Sequence, residues 1–176
     1  MRRAPELERD QAPEEVRALY DVVEKLPGAP RLTSKVLAHS PAGLRLFLEL
    51  TRAMTTLTLD PRLRELAFVT VSRLNRSAIC DTFHSSLARK VGVTPAQLDG
   101  LADPAASPAY GPLERLVVRY ARQLTVGGEV DDAPHEALTA HLPTRHLIEL
   151  ALTVAAANFA NRVNAALKLD LEQPQP

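Results

Sequence analysis

The sequence predicts an all-α fold of about eight or nine helices. Three observations predict it. Apolar residues recur at three- and four-residue spacing, and no alternating run reads as a strand. A capping residue followed by proline recurs at Ser40–Pro41, Asp60–Pro61 and Thr94–Pro95, which suits the first turn of a helix. The β-branched residues fall inside helical patterns rather than in runs of their own.

Taken in order, "APEEVRALYDVVEKL" opens with Pro13 and the early carboxylates Glu14 and Glu15. Val16, Leu19, Val22, Val23 and Leu26 form its apolar face. "PGAP" at 27–30 then breaks the chain. "SPAGLRLFLELTRAMTT" and "LDPRLRELAFVTVSRLNR" follow as helices capped by Ser40 and Asp60. "SAICDTFHSSLARKVG" is a helix ended by Gly92. "TPAQLDGL" pairs Thr94 with Gln97 in a capping-box pattern. "DPAASPAYGP" reads as a loop. "LERLVVRYARQLT" and "DDAPHEALTAHL" are helices, and "PTRHLIELALTVAAANFANRVNAALKL" is a long last one. The expected organisation is a flexible segment at 1–12, one domain at 13–172 and a tail at 173–176.

The bulk numbers narrow the function. The chain has 176 residues, 45% of them hydrophobic, which is enough for one domain with a proper core. Lys+Arg and Asp+Glu both number 21, so no basic excess points to nucleic acid or an anionic membrane. The single cysteine, Cys80, excludes an intrachain disulfide framework and suits a reducing compartment. "MRRAPELERDQAPEE" has no apolar core of a signal peptide, and no apolar run is long enough to span a bilayer. The nearest, "LALTVAAANFA", is interrupted or bounded by Glu149, Asn158 and Asn161. A cytoplasmic protein is expected. There is no P-loop, Gly-rich phosphate loop or Gly-x-Ser-x-Gly elbow.

An internal echo suggests a two-fold repeat. "LRELAFVTVSRLN" (Leu63 to Asn75) resembles "LIELALTVAAANF" (Leu147 to Phe159), with Glu-Leu-Ala identical at 65–67 and 149–151. The same offset puts Asn164 opposite Cys80 and Lys168 opposite His84, so only the first copy carries a thiol and an imidazole. The second copy is expected to be scaffold.

The chemistry concentrates in "SAICDTFHSS". Cys80 and His84 stand four apart and share a helix face, with Ser77 one turn before Cys80. Ile79, Phe83, Leu87 and Val91 read as the buried stripe of that helix, which would leave Ser77, Cys80 and His84 along its flank, between core and solvent. Glu65 sits on a helix apolar nearly all round, where burial raises a carboxyl's pKa and fits it for proton transfer. His84 could take the thiol proton while Glu65 orients His84 or the thiol. Each feature also has a plainer reading: Cys80 as packing, the Cys–His spacing as chance, Glu65 as the partner of an arginine such as Arg62. Spacing alone leaves both open. One Cys and one His are too few ligands for zinc, and His135, His141 and His146 form no metal spacing and read as surface residues.

"LDPRLRELAFVTVSRLNRSAICDTFHSSLARKVGVTPAQLDGL" resembles the alkylhydroperoxidase D (AhpD)-like / carboxymuconolactone decarboxylase family, in its peroxidase-related branch. The family motif is a glutamate on one helix, then Cys-x-x-Cys-x-x-x-His on the next, followed by an alanine and a helix-ending glycine. Glu65, Cys80, His84, Ala88 and Gly92 match it. The stretch from "YARQLTVGG" to "NAALKLDLE" is similar to the branch's second half, including its Asn-Arg pair at Asn161 and Arg162. One position departs: Ser77 stands where the first motif cysteine would be.

The resemblance implies an AhpD-like helical bundle assembled as a homo-oligomer, trimeric or hexameric, with no organic cofactor and no metal. It implies Cys80, His84 and Glu65 as catalytic residues, with Ser77 supporting. In redox-active members the second cysteine attacks the peroxide and the first resolves it as a disulfide, which Ser77 cannot do. The implied activity is reduction of a hydroperoxide through Cys80, with an external thiol as reductant. Two alternatives stand beside it: acid–base chemistry on a small organic acid or lactone through Glu65 and His84, and a non-catalytic oligomeric binding protein.

Overall fold

The computed structural model describes residues 2–26 and 31–169. Among these residues the protein is all-α, with nine α-helices and no strand. The breaker at 27–30 and the tail at 173–176 lie outside the described residues. The chain divides into two compact units, one comprising Met1–Leu57 with Asn164–Leu169, the other Thr58–Val163.

The first unit holds α1 (Glu14–Lys25), α2 (Arg31–Leu37) and α3 (Pro41–Thr55). Val16, Tyr20 and Val23 of α1 pack with Leu44 and Leu48 of α3 in one apolar cluster that also takes in Ala12 and Ala38. The Ser40 hydroxyl accepts the Gly43 N–H at 3.3 Å and starts α3, as its position before Pro41 predicts. The leading residues, expected to be flexible, make specific contacts here. The Leu7 N–H donates to the Lys35 carbonyl at 3.1 Å, the Tyr20 hydroxyl donates to the Leu7 carbonyl, and Ala12 is fully buried. Helix α2 has no counterpart in the sequence reading. Its seven residues bury Thr33, Ser34 and Val36, so its inward face carries no apolar period to detect.

The second unit is built on α4 (Pro61–Leu74), α5 (Ala78–Lys90), α6 (Pro95–Asp99), α7 (Pro112–Val126), α8 (Asp132–Thr139) and, as far as Val163, α9 (Thr144–Leu167). A single 3₁₀ turn, Gly100–Ala102, follows α6. Helix α4 is the hub, in contact with both α5 and α7. It is buried nearly all round, from Leu63 through Ser72 with Arg64 the exception. A helix apolar on every side belongs inside a core, and α4 feeds two clusters at once. Leu63, Ala67, Phe68 and Val71 join Val117, Tyr120 and Ala121 of α7 and Leu147, Leu150 and Val154 of α9. Leu66 and Val69 join Ala88, Val93, Leu98, Tyr110 and Val118.

Local signals set the element ends. Asp60 accepts the Arg62 N–H at 2.8 Å. Thr94 and Gln97 close a reciprocal capping box at 3.2 and 3.0 Å. Gly92 ends α5 with a φ of +92°, in the left-handed region that a side chain resists.

The two copies of the echo lie in α4 and α9, and their glutamates are both buried, Glu65 and Glu149. Glu149 is scaffold. Its Oε2 accepts the backbone N–H groups of Thr58 and Leu59 at 2.8 and 2.6 Å, and Arg145 Nε approaches its Oε1 at 3.1 Å. Burial by itself would raise this carboxyl. The Leu59 N–H, the Arg145 guanidinium and the Thr58 groups outweigh it and hold the pKa below the ordinary value.

Candidate functional site

Helix α5 turns a different face inward from the one its apolar residues suggest. Ser77, Cys80, Ser85 and Ala88 are buried, whereas Ile79, Phe83 and Leu87 are only half-buried. The expected placement of Cys80 on the flank is therefore corrected: it lies on the inward side, 8% exposed. The physical reason is close approach. Small residues at 77, 80 and 88 let α5 pack tightly along α4, and larger side chains on that line would hold the helices apart.

That approach brings Glu65 and His84 into contact. His84 Nδ1 lies 2.8 Å from Glu65 Oε2, with the two side chains 16% and 7% exposed. Phe68, one turn after Glu65 on α4, stacks on the imidazole with ring centroids 3.4 Å apart and planes 15° from parallel. Phe83 meets the same ring edge-on at 5.1 Å. The other carboxylate oxygen of Glu65 stands 3.7 Å from Arg64 Nε. Arg62, the partner first considered for Glu65, pairs with Glu114 instead, Nη2 to Oε1 at 3.0 Å. With Nδ1–H donating to the carboxylate, Nε2 keeps its lone pair and can receive a proton. Cys80 is one turn earlier on the same face of α5, third from the helix start, where the end of the helix favours negative charge.

Ser77 is the N-cap residue of α5, yet its hydroxyl caps nothing. The residue is 3% exposed, and its Oγ is enclosed with no hydrogen-bond partner. The other histidines weighed in the sequence take no part in this contact. His135 and His141 are exposed, and His146 Nε2 lies 3.3 Å from the Thr58 hydroxyl. Among the described residues no three His, Cys, Asp or Glu side chains form a metal-binding group, and no helix is long and apolar enough to cross a membrane.

Two features were given no part in the site from the sequence. Phe68 is the plane on which the imidazole rests, and its only signal was its place one turn from Glu65. A set of buried amides joins α4 to α9: Asn75 Nδ2 donates to Asn158 and Asn161 Oδ1 at 3.0 and 3.2 Å, and Asn161 Nδ2 donates to the Ser72 hydroxyl at 3.4 Å. These bonds fix the end of α4 from which the chain turns into Ser77. Asparagines on an otherwise apolar helix were their signal.

Residues 41–123 match the model of the carboxymuconolactone decarboxylase family. The uncharacterized protein YdfG of Bacillus subtilis (strain 168) is 24% identical over 130 residues, 73% of this chain and 88% of that one. A peroxidase-related protein with an alkylhydroperoxidase AhpD core, from Ralstonia eutropha JMP134, superposes with a TM-score of 0.79 at 22% identity, over 98% of this chain and 93% of its own. A cysteine-to-alanine variant of the debrominase Bmp8, in complex with 2,3,4-tribromopyrrole, gives a TM-score of 0.78 at 20% identity over 94% and 89%. Over residues 41–123 the chain is thus similar to the carboxymuconolactone decarboxylase family, and it has the all-α fold of the AhpD-core structure.

Proposed function

We propose that this protein is an oxidoreductase that reduces hydroperoxides through Cys80 and is itself re-reduced by an external thiol. The observation that carries the reading is Cys80 one helical turn from His84, whose ring Glu65 holds. The imidazole sits one turn from the thiol, and its tautomer and plane are held by the 2.8 Å bond to Glu65 and the stack on Phe68. A thiolate is the reactive form of cysteine, and a fixed neighbouring base is the usual means of producing it. The thiol proton passes to Nε2 of His84 and is delivered to the departing alkoxide, while Glu65 steadies the transient imidazolium. With one cysteine in the chain, resolution falls to a thiol from outside. Such a supply fits a reducing, cytoplasmic setting.

Acid–base chemistry on a small organic acid or lactone is the second reading. The same Glu65–His84 contact favours it, because that pair can exchange protons without the thiol. Assembly into a homo-oligomer belongs to either reading. Ile148, Leu152 and Phe159 form an exposed apolar line on α9 that supports it.

The test is the fate of Cys80 after a small excess of hydroperoxide, followed by mass spectrometry with a sulfenic-acid trap. A trapped adduct on Cys80, lost in Cys80→Ser, is the expected result. An unmodified Cys80 would sink the peroxidase reading. A small-molecule activity intact in Cys80→Ser but abolished in Glu65→Gln and His84→Ala would put the acid–base reading in its place.

A further inference from the structure

We infer that the Ser77 hydroxyl is the hydrogen-bond donor for the oxygen that Cys80 takes from the hydroperoxide, and that it holds this oxygen as a leaving group when the external thiol attacks. The inference rests on the peroxidase reading and assigns a residue that the reading does not use.

Three observations carry it. First, Ser77 occupies the N-cap of α5, where a serine ordinarily accepts an N–H of the first turn, and it makes no such bond. Second, its Oγ is enclosed and has no hydrogen-bond partner, the Cys80 sulfur included. A buried hydroxyl without a partner is costly, and native chains seldom keep one without a use. Third, Ser77 and Cys80 stand three apart at the same helix start, on the same buried face. An oxygen added to the sulfur lengthens that side chain by one atom on the face where the hydroxyl waits. The N–H groups of Ala78, Ile79 and Cys80 open this helix, have no acceptor one turn back within it, and favour an anion in the same place.

The chemistry balances in two halves. The Cys80 thiolate attacks the terminal oxygen of ROOH, and the O–O bond breaks. The alkoxide leaves as ROH with the proton that the thiol had given up, so the sulfur is oxidised to Cys80–SOH and the peroxide is reduced to an alcohol. A monothiol R′SH then attacks the sulfur, the S–O bond breaks, and the oxygen departs as water. A second R′SH displaces the mixed disulfide, restoring the Cys80 thiol and releasing R′SSR′. Negative charge develops on the leaving oxygen in the second half, and a donor aimed at developing charge acts there. Ser77 thus stands where a resolving thiol would be and assists a resolving thiol that comes from outside.

The two halves are measured separately on the full chain. Oxidation uses a near-stoichiometric amount of tert-butyl hydroperoxide, and reduction uses 2-mercaptoethanol, each read by sulfenic-acid trapping at timed intervals. Once its Cys80 has been oxidised, Ser77→Ala is expected to be reduced about 10- to 100-fold more slowly than the wild type, the loss of one donor to a developing anion. Ser77→Thr, which keeps the hydroxyl, is expected to restore reduction, a rescue that a purely structural role would not produce. Ser77→Gly, tolerated at N-caps, gives the same comparison should the alanine variant fail to fold. Reduction at the wild-type rate in the hydroxyl-free variants overturns the role of Ser77 and leaves the peroxidase reading standing. No sulfenic acid on Cys80 in the wild type overturns that reading, and the inference with it.

Discussion

Nδ1 of His84 stands 2.8 Å from Oε2 of Glu65, across the seam between α5 and α4. The bond fixes which imidazole nitrogen is left to work. Glu65→Gln keeps an acceptor for Nδ1–H and removes the charge. It is expected to slow oxidation of Cys80 by hydroperoxide about tenfold, and His84→Ala by roughly a hundredfold or more, the usual worth of a positioned base. Since Glu65 acts through His84, the double variant should be no slower than His84→Ala alone. Stopped-flow rates for the four proteins decide it. Additive losses would mean that Glu65 has a role of its own.

Phe68 fills the core and bears the imidazole, so its two roles need separating. It is 7% exposed and belongs to the cluster joining α4, α7 and α9. Phe68→Ala is expected to cost about 3–5 kcal/mol in urea unfolding, the range for truncating a buried aromatic. Phe68→Leu should cost less and still lose the 3.4 Å stack. Its oxidation rate at full occupancy of the fold should fall. A Phe68→Leu protein oxidised at the wild-type rate would show that the ring packs the core and nothing more.

The fold was legible because its punctuation is local. Ser40, Asp60 and Thr94 cap as their side chains and following prolines predict, and Gly92 ends α5 as a left-handed residue must. What the periodicity misplaced was the inward face of α5. An apolar stripe marks the buried side only when hydrophobic volume drives the packing. Here the helix docks through Ser77, Cys80 and Ala88, and tertiary closeness overrides hydrophobicity. Glu65, Cys80 and His84 stand out in the sequence as candidates, whereas the 2.8 Å contact between Glu65 and His84 depends on that docking and has no local signature. Helix α2 escaped for a related reason, since it buries Thr33 and Ser34.

Glu149 should give the stability curve an acid limb. Its carboxyl is held below the ordinary value in the folded chain by the Leu59 and Thr58 groups and Arg145, against its own burial. For a depressed carboxyl, the stabilisation is complete above the unfolded value, about 4.3, and is lost as pH falls through the folded value. Wild-type urea midpoints should therefore decline below about pH 4.5, and Glu149→Gln should start lower at neutral pH and decline less. Parallel acid limbs in the two proteins would remove Glu149 as the cause.

Gly92→Ala tests backbone conformation alone. At φ +92° an added Cβ would meet the Arg62 side chain at 3.7 Å (Cδ) and 3.8 Å (Nε), ordinary contacts. The expected loss is about 1–2 kcal/mol from the left-handed conformation, with the oxidation rate of Cys80 unchanged. A loss well below that would show that the turn after α5 relaxes to accept a side chain.

Ser77→Cys would convert an externally resolved site into an internally resolved one. The two positions lie three apart where α5 begins, and residue 77 has an extended backbone (φ −89°, ψ 92°) that is not bound by helical geometry. A disulfide needs Cα atoms about 4.4–6.8 Å apart, which the start of a helix supplies. After one equivalent of hydroperoxide, the wild type should carry a trappable sulfenic acid on Cys80. The variant should instead show no adduct and a mass lower by two hydrogens, reversed by a dithiol, because the new thiol attacks Cys80–SOH and water leaves. Peroxide turnover driven by a dithiol should rise in Ser77→Cys and vanish when Cys80→Ser is added. A persistent sulfenic acid in Ser77→Cys would mean that the two side chains do not meet, and that the enclosed Ser77 hydroxyl faces away from the sulfur.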